Sequence, residues 1–260
     1  TIFTTTFYKD DPVSQVREKL AVKLLENANE LGVKVVVVDG GSNESFLERI
    51  KLLPNVSLVV DPTVTMGESR REALGKAVVE FHTPFYMWVE PEKDRLITSE
   101  SLTEMLFPLR EGVTDIVVPK RKSMETLPPF QANLEQRANK RASEITFGED
   151  VGDSEVLDMW FGPKLFNESA VPYFTEYHSK LDKWDAVLKP VINAHSDGKR
   201  LAGVEVDYEY DPSQSESEKG DREMKKKRIE QYATILAEMG DSFWKRKIEA
   251  GETNVRKFFK

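Results

Sequence analysis

Acidic residues close three successive apolar runs. Val35-Val36-Val37-Val38 ends in Asp39, Val56-Ser57-Leu58-Val59-Val60 ends in Asp61, and Phe85-Tyr86-Met87-Trp88-Val89 ends in Glu90-Pro91-Glu92. Carboxylates collected at one edge of a sheet can hold a hard divalent cation such as Mg²⁺ or Mn²⁺, and such a cation neutralises a diphosphate. Glu90 and Glu92 flank a proline, so their oxygens can converge on one ion. The plainer reading of Glu90-Pro91-Glu92-Lys93-Asp94 is a solvated charged turn, and spacing alone leaves both open. Gly40 and Gly41, which follow Asp39, allow close backbone approach to a ligand or a positive φ.

The elements that must position these groups read as alternating strands and helices. Four valines without polar alternation suit a strand covered on both faces, the usual state of a parallel strand. Val13, Val16, Leu20, Leu24 and Leu31 recur at helical spacing ahead of that strand. Further helices are expected over 46–52, 67–81 and 99–110, with strands over 56–60, 85–89 and 115–119, a repeated β-α order that implies a parallel sheet. In open sheets of this kind ligands bind at the carboxyl ends of the strands, which is where the acidic residues fall. Beyond residue 120 the pattern loosens. A basic loop at Lys120-Arg121-Lys122, a helix over 130–145, an aromatic turn at Trp160-Phe161-Gly162-Pro163, a helix over 183–195 and a strand over 201–210 are expected. Asp211 to Gly220 reads as a linker, followed by a charged helical C-terminus.

A chain of 260 residues with 39% hydrophobic residues can build a substantial core. Its net charge of −8 argues against broad nucleic-acid binding, which needs clustered cations. No apolar run approaches the roughly 20 residues that cross a bilayer, and no signal-peptide pattern opens the sequence, so a soluble protein is expected. The absence of cysteine excludes disulfides and thiolate chemistry and fits a reducing compartment, with cytoplasm as the default.

The chain resembles the GT-A-fold glycosyltransferases, in particular family 2 and the mannosylglycerate synthase group. Thr5-Thr6-Phe7-Tyr8-Lys9 stands in the place of that family's first-strand nucleotide loop. Val37-Val38-Asp39-Gly40-Gly41-Ser42 resembles its Val-Val-Asp-Asp-Gly-Ser motif, and Gly67 with Ser69-Arg70-Arg71-Glu72-Ala73-Leu74 resembles its Gly-x-x-x-Ala-Arg-Asn helix start. Glu90-Pro91-Glu92 falls where its Asp-x-Asp metal motif belongs. The order of the motifs, more than any one of them, carries the resemblance, which is good over 1–120 and loose beyond.

It implies an α/β fold with a mostly parallel, Rossmann-like sheet flanked by helices and a C-terminal helical extension. The expected division is a catalytic domain over 1–215, with a nucleotide-sugar half (1–120) and an acceptor half (121–215), and an extension over 216–260. The implied activity is a nucleotide-sugar-dependent hexosyltransferase that moves a sugar from a nucleotide-diphospho-sugar to an acceptor hydroxyl with Mn²⁺ or Mg²⁺. Thr5, Thr6 and Asp39 then lie near base and ribose, with Gly40 where relatives often carry a second acid. Arg70 meets a phosphate, for which its planar donor fork is suited. Glu90 and Glu92 hold the metal, with Glu209 or Asp211 in place of the family's histidine. His82, His178 and His195 match no ligand position.

An inverting enzyme also needs a carboxylate to take the acceptor's proton. Asp182 and Asp185, which bracket Trp184, are the candidates; either can instead cap the helix that follows. Glu149-Asp150 is the alternative pair. Trp160 and Gly162, with Phe161, form a sugar or acceptor platform or pack in the core. Lys120 can meet a diphosphate or an anionic acceptor, whereas Lys225-Lys226-Lys227-Arg228 reads as a solvated helix face. Two other functions compete: an inactive nucleotide-binding or scaffold protein of the same fold, and a sugar-phosphate nucleotidyltransferase, for which the Gly-x-Gly-Thr-Arg opening is missing. The charged C-terminus suits packing on its own domain or pairing in a homo-oligomer.

Overall fold

The valine run forms the centre of the molecule. In β2 (Val35–Asp39) every residue is buried, with Val35 and Val37 in one apolar cluster and Val36 and Val38 in the other. A strand without polar alternation is satisfied by this double cover. The computed structural model describes residues 1–148 and 150–218 and, in the C-terminal segment, 225, 226, 228–233, 235, 237 and 240.

β1 (Ile2–Thr6) pairs in parallel with β2 and with β4 (Phe85–Trp88), and β2 pairs in parallel with β3 (Val56–Val60). β5 (Ile116–Arg121) and β7 (Leu201–Val206) are parallel to each other, and β6 (Lys164–Asn167) runs antiparallel between β4 and β5. The order across the sheet is β3-β2-β1-β4-β6-β5-β7, mostly parallel as expected. β6 has no counterpart in the sequence reading. It is four residues long and opens on a lysine, too short for an alternating pattern to show.

The helices are α1 (Pro12–Glu30), α2 (Glu44–Lys51), α3 (Met66–Phe81), α4 (Ser99–Arg110), α5 (Pro129–Phe147), α6 (Val171–Thr175), α7 (Asp185–Ser196) and α8 (Pro212–Glu218). Local chemistry sets where the first ones begin. The Asp11 carboxylate accepts from the amides of Val13 and Ser14 ahead of α1, and Thr65 and Glu68 form a capping box at α3. None of the described helices is long and apolar enough to cross a membrane.

The expected linker over 211–220 is helical across Pro212–Glu218, through the anticipated 215/216 junction. Asp211 explains the difference: one oxygen accepts from Ser213 N, and the other meets Arg95 Nη2 at 3.0 Å. Gln214 is buried, so a segment with linker composition becomes a packed turn of helix. Further on, Ile235 is 2% exposed and joins the apolar cluster that holds Val36 and Val38.

Candidate active site

The carboxyl ends of β1 and β4, the start of α3 and the turn before β6 enclose a cleft of about 650 Å³, within the range of small-molecule sites. Thr5, Thr6, Gly40, Arg70, Glu90, Glu92, Trp160 and Gly162 all line it, so residues expected from distant parts of the sequence meet in one place.

Asp39 is beside the cleft without facing it. Its carboxylate is fully buried and accepts from Thr6 Oγ1 at 2.6 Å, from the amides of Gly41 and Ser42 at 2.8 and 2.7 Å, and from Ser42 Oγ at 2.5 Å. Four bonds use the acceptor capacity of a carboxylate. Asp39 therefore shapes the loop, and Gly40 presents its backbone to the cleft beneath the exposed Phe7 ring. Asp61 is likewise spent locally, on Thr63.

Arg70 is 6% exposed and lies between two indoles, with its guanidinium carbon 4.8 Å from the Trp88 ring and 5.1 Å from the Trp184 ring. It also donates through Nη1 to the Lys183 carbonyl. Burial pulls its pKa down to about 10, against the fields of Glu90, Asp185 and Asp182, so it stays charged at neutral pH. Among the described residues Nε has no hydrogen-bond partner, which leaves a cation of fixed orientation at the cleft wall.

Glu90 and Glu92 come together at the exit of β4. Oε2 of Glu90 is buried without a hydrogen-bond partner among the described residues. Burial raises the Glu92 carboxyl above its usual range; Arg17 opposes the shift and Glu90 adds to it, while Tyr8 Oη donates at 3.4 Å. Among the described residues no three His, Asp or Glu side chains converge on a metal-sized site. Two carboxylates nevertheless fit Mg²⁺ or Mn²⁺, which commonly combine one or two carboxylates with substrate phosphates. A cation would engage the orphaned Glu90 oxygen and hold Glu92 ionised. Glu209 is not part of this pair. Residues alternate past β7, so Tyr208 and Tyr210 are buried while Glu209 points outward to Arg95 at 3.6 Å.

The turn before β6 lines the cleft beside Glu90. Lys164 is 0% exposed and donates to the carbonyls of Met159, Gly162 and Pro163 at 3.1, 2.9 and 3.2 Å, and burial pulls its ammonium down to about 8. Gly162 adopts φ of 102°, and a Cβ there would enter the Glu90 carboxylate. Gly162→Ala is expected to cost about 1–3 kcal/mol through backbone strain and to displace Glu90. Chemical denaturation and activity measured together check this; wild-type values for both would show that the contact has no consequence.

The two candidate bases do not reach the cleft. Asp182, with φ of 44°, forms a bidentate pair with Arg71 at 2.6 and 2.8 Å and accepts from Thr65, and its backbone carbonyl accepts from Gly67 N. Arg71 holds its carboxyl below the usual range. Gly67 is required because a Cβ would collide with that carboxylate. Asp185 is buried and accepts from Tyr177 Oη, Ser179 Oγ and Lys183 N, which makes it the organiser of the turn into α7. Together they bolt 177–185 onto α3 and so hold Trp184 against Arg70. Of the alternative pair, Glu149 lies outside the described residues and Asp150 is exposed. His82 ends α3 in the left-handed region, His178 is exposed and His195 accompanies Lys199 O; none lines the cleft.

Lys120 also stays outside, and its neighbour takes the place expected for it. Arg121 lines the cleft, 8% exposed, with Nε and Nη2 on Asp158 at 2.7 and 2.8 Å and Nη2 on Glu135 at 2.7 Å. Gln131 and Asn139 complete the network. Desolvation opposes the Arg121 charge, but Asp158 and Glu135 outweigh it and raise its pKa. Strand alternation selects Arg121 over Lys120, while its partners lie 14 and 37 residues away in sequence. Of the basic C-terminal run, Lys225 and Lys226 are exposed as expected and Lys227 lies outside the described residues, whereas Arg228 lines the cleft.

Among solved structures, the chain is similar to glucosyl-3-phosphoglycerate synthase from Mycobacterium tuberculosis in complex with Mn²⁺, uridine diphosphate and phosphoglyceric acid. The identity is 13% and the TM-score 0.58, over 92% of this chain and 78% of that one. The same enzyme with Mn²⁺, uridine-diphosphate-glucose and phosphoglyceric acid gives 14% and 0.58, over 92% and 79%. CMP:2-keto-3-deoxy-manno-octonic acid synthetase complexed with CTP gives 10% and 0.52, over 90% and 98%. At these identities the likeness is one of fold, the GT-A fold that the order of motifs implies. No protein-family model and no curated protein matches the chain.

Proposed function

We propose that the chain is a glycosyltransferase that takes a sugar from a nucleotide-diphospho-sugar and passes it to an acceptor hydroxyl. The observation that carries this reading is the meeting of the Thr5-Thr6-Phe7 loop, Gly40, Arg70 and the Glu90/Glu92 pair in one cleft. Phe7, 55% exposed beside Gly40, offers a face for a nucleobase. Arg70, fixed between Trp88 and Trp184, meets the diphosphate without having to reorganise. Mg²⁺ or Mn²⁺ held by Glu90 and Glu92 supplies neutralisation of the charge that develops on the departing diphosphate. Trp160 and Gly162 border the sugar.

The engaged states of Asp182 and Asp185 bear on the acceptor's proton. Glu135, the carboxylate lining the cleft on the α5 side, is held by Arg121 and Gln131. With both aspartates engaged elsewhere, we propose a transfer in which the departing diphosphate oxygen takes the acceptor's proton and the anomeric configuration is retained.

The fold likeness to a CTP-bound synthetase favours a second reading, nucleotidyl transfer. The β1 exit, Thr5-Thr6-Phe7-Tyr8-Lys9, contains no glycine to wrap a triphosphate, which weighs against it. Incubation with uridine, guanosine, adenosine and cytidine diphospho-hexoses and Mn²⁺ separates the two. Release of nucleoside diphosphate is expected, and Phe7→Ala should weaken nucleotide binding by about 1–3 kcal/mol, as for loss of a base-stacking ring. Pyrophosphate release from a nucleoside triphosphate and a sugar phosphate, with all the diphospho-sugars inert, would establish the second reading instead.

A further inference from the structure

Lys164 is completely buried and does not itself line the cleft. Its ammonium has three donors and spends them on three carbonyls of the turn that precedes it, those of Met159, Gly162 and Pro163. Burying an ammonium is a costly way to fill space. What it supplies here is the closure of residues 159–163 around one point. Other residues of that turn have further anchors: Trp160 N donates to Asn139, and Lys93 and Arg121 each lie 4.9 Å from the centroid of the Phe161 ring. The Gly162 carbonyl is held by Lys164, at 2.9 Å.

Gly162 in turn bounds Glu90. The Glu90 carboxylate occupies the space into which a Cβ on Gly162 would point, and its Oε2 has no hydrogen-bond partner among the described residues. With no hydrogen bond to direct that oxygen, contact with the Gly162 backbone directs it. Lys164 also stands opposite Trp88 in the β4–β6 ladder, where paired residues share a face, and Glu90 lies two residues past Trp88. We propose that Lys164 is a positioning residue for the cation site: by fixing Gly162 it fixes Glu90, and so sets how tightly Glu90 and Glu92 hold a divalent cation. The inference rests on the reading of those two carboxylates as the metal pair. Residues that orient a metal ligand without touching the metal commonly change its affinity by about 10–100-fold.

Calorimetry of the full chain with uridine, guanosine, adenosine and cytidine diphosphates, each in Mn²⁺ and in chelator, reads this as the gain in affinity that Mn²⁺ brings to whichever of them binds. Lys164→Met keeps an unbranched side chain of similar size and removes its donors. The Mn²⁺ gain should fall by about 10-fold or more in that variant, while affinity in chelator stays at the wild-type value. An equal loss with and without Mn²⁺ would mark a general role in the fold, and an unchanged gain would show that Lys164 does not act on the pair; either overturns the proposal. A measurement on wild type covers the case in which Lys164→Met does not fold. Exchange of the Trp160, Phe161 and Gly162 amide hydrogens should slow when Mn²⁺ joins the bound nucleoside diphosphate, because a Glu90 tied to a cation steadies the turn it rests on. Unchanged exchange there overturns the proposal as well. A wild-type chain in which Mn²⁺ brings no gain refutes the metal reading separately.

Discussion

Replacing Glu90 by Gln lowers metal-dependent turnover by about 10²–10³-fold, the effect of removing one preorganised electrostatic group from a developing charge. The substitution keeps the shape of the side chain and its packing against Gly162, so the fold is expected to hold. What is lost is a carboxylate oxygen that is buried and has no hydrogen-bond partner among the described residues. Glu92→Ala is expected to act in the same direction, because Glu92 is the other carboxylate of the pair. Release of nucleoside diphosphate measured against Mn²⁺ concentration reads both variants. Unaltered turnover in either, or activity that persists in excess chelator, would remove the metal role from the pair.

The largest effect on stability is expected from Arg121→Ala, a loss of about 3–5 kcal/mol in chemical denaturation, as for a broken buried ion pair. Asp158 and Glu135 would remain buried without the guanidinium that hydrogen-bonds both of them. The pH dependence follows from the sign of the Asp158 shift. Burial alone would raise its pKa, but the charge and hydrogen bonds of Arg121 hold it below the ordinary value. Its stabilisation is therefore complete above the ordinary aspartate pKa of about 4 and is lost as pH falls through the lower folded value. In Arg121→Ala, where burial acts without its counterweight, the loss should begin at higher pH. A change below about 1 kcal/mol, the scale of an exposed ion pair, would show that the network contributes no more than a surface contact.

The parts of the site that were legible in sequence are those set by short-range pattern. The valine run announces a doubly covered strand, and its exit glycines, the Thr5-Thr6 loop and the Glu90-Pro91-Glu92 turn follow from strand ends sharing one edge. What could not be read depends on partners far away in the chain. Asp182 and Asp185 carry the chemistry of a base, yet Arg71 and Gly67, more than 100 residues earlier, turn Asp182 into a bolt. Asp39 likewise looks like a ribose ligand until Thr6 and Ser42 occupy it. The basic run after β5 was visible, but only Asp158 and Glu135 distinguish Arg121 from Lys120. The Trp88 and Trp184 faces around Arg70 had no local signal, since one lies in a strand and the other ahead of a helix in the opposite half of the sequence. The 211–220 segment has the composition of a linker, and its helix over Pro212–Glu218 follows an Asp211 that accepts from Ser213 N and pairs with the distant Arg95.

The most direct test of the cleft as a metal-assisted nucleotide-sugar site is calorimetry with uridine, guanosine, adenosine and cytidine diphosphates, each with Mn²⁺ and with chelator, on wild type and Glu90→Gln. At least one nucleoside diphosphate should bind the wild-type chain, more tightly with Mn²⁺ than with chelator, and that gain should vanish in Glu90→Gln. Binding of none of the four, or the same Mn²⁺ gain in the variant as in wild type, would contradict it.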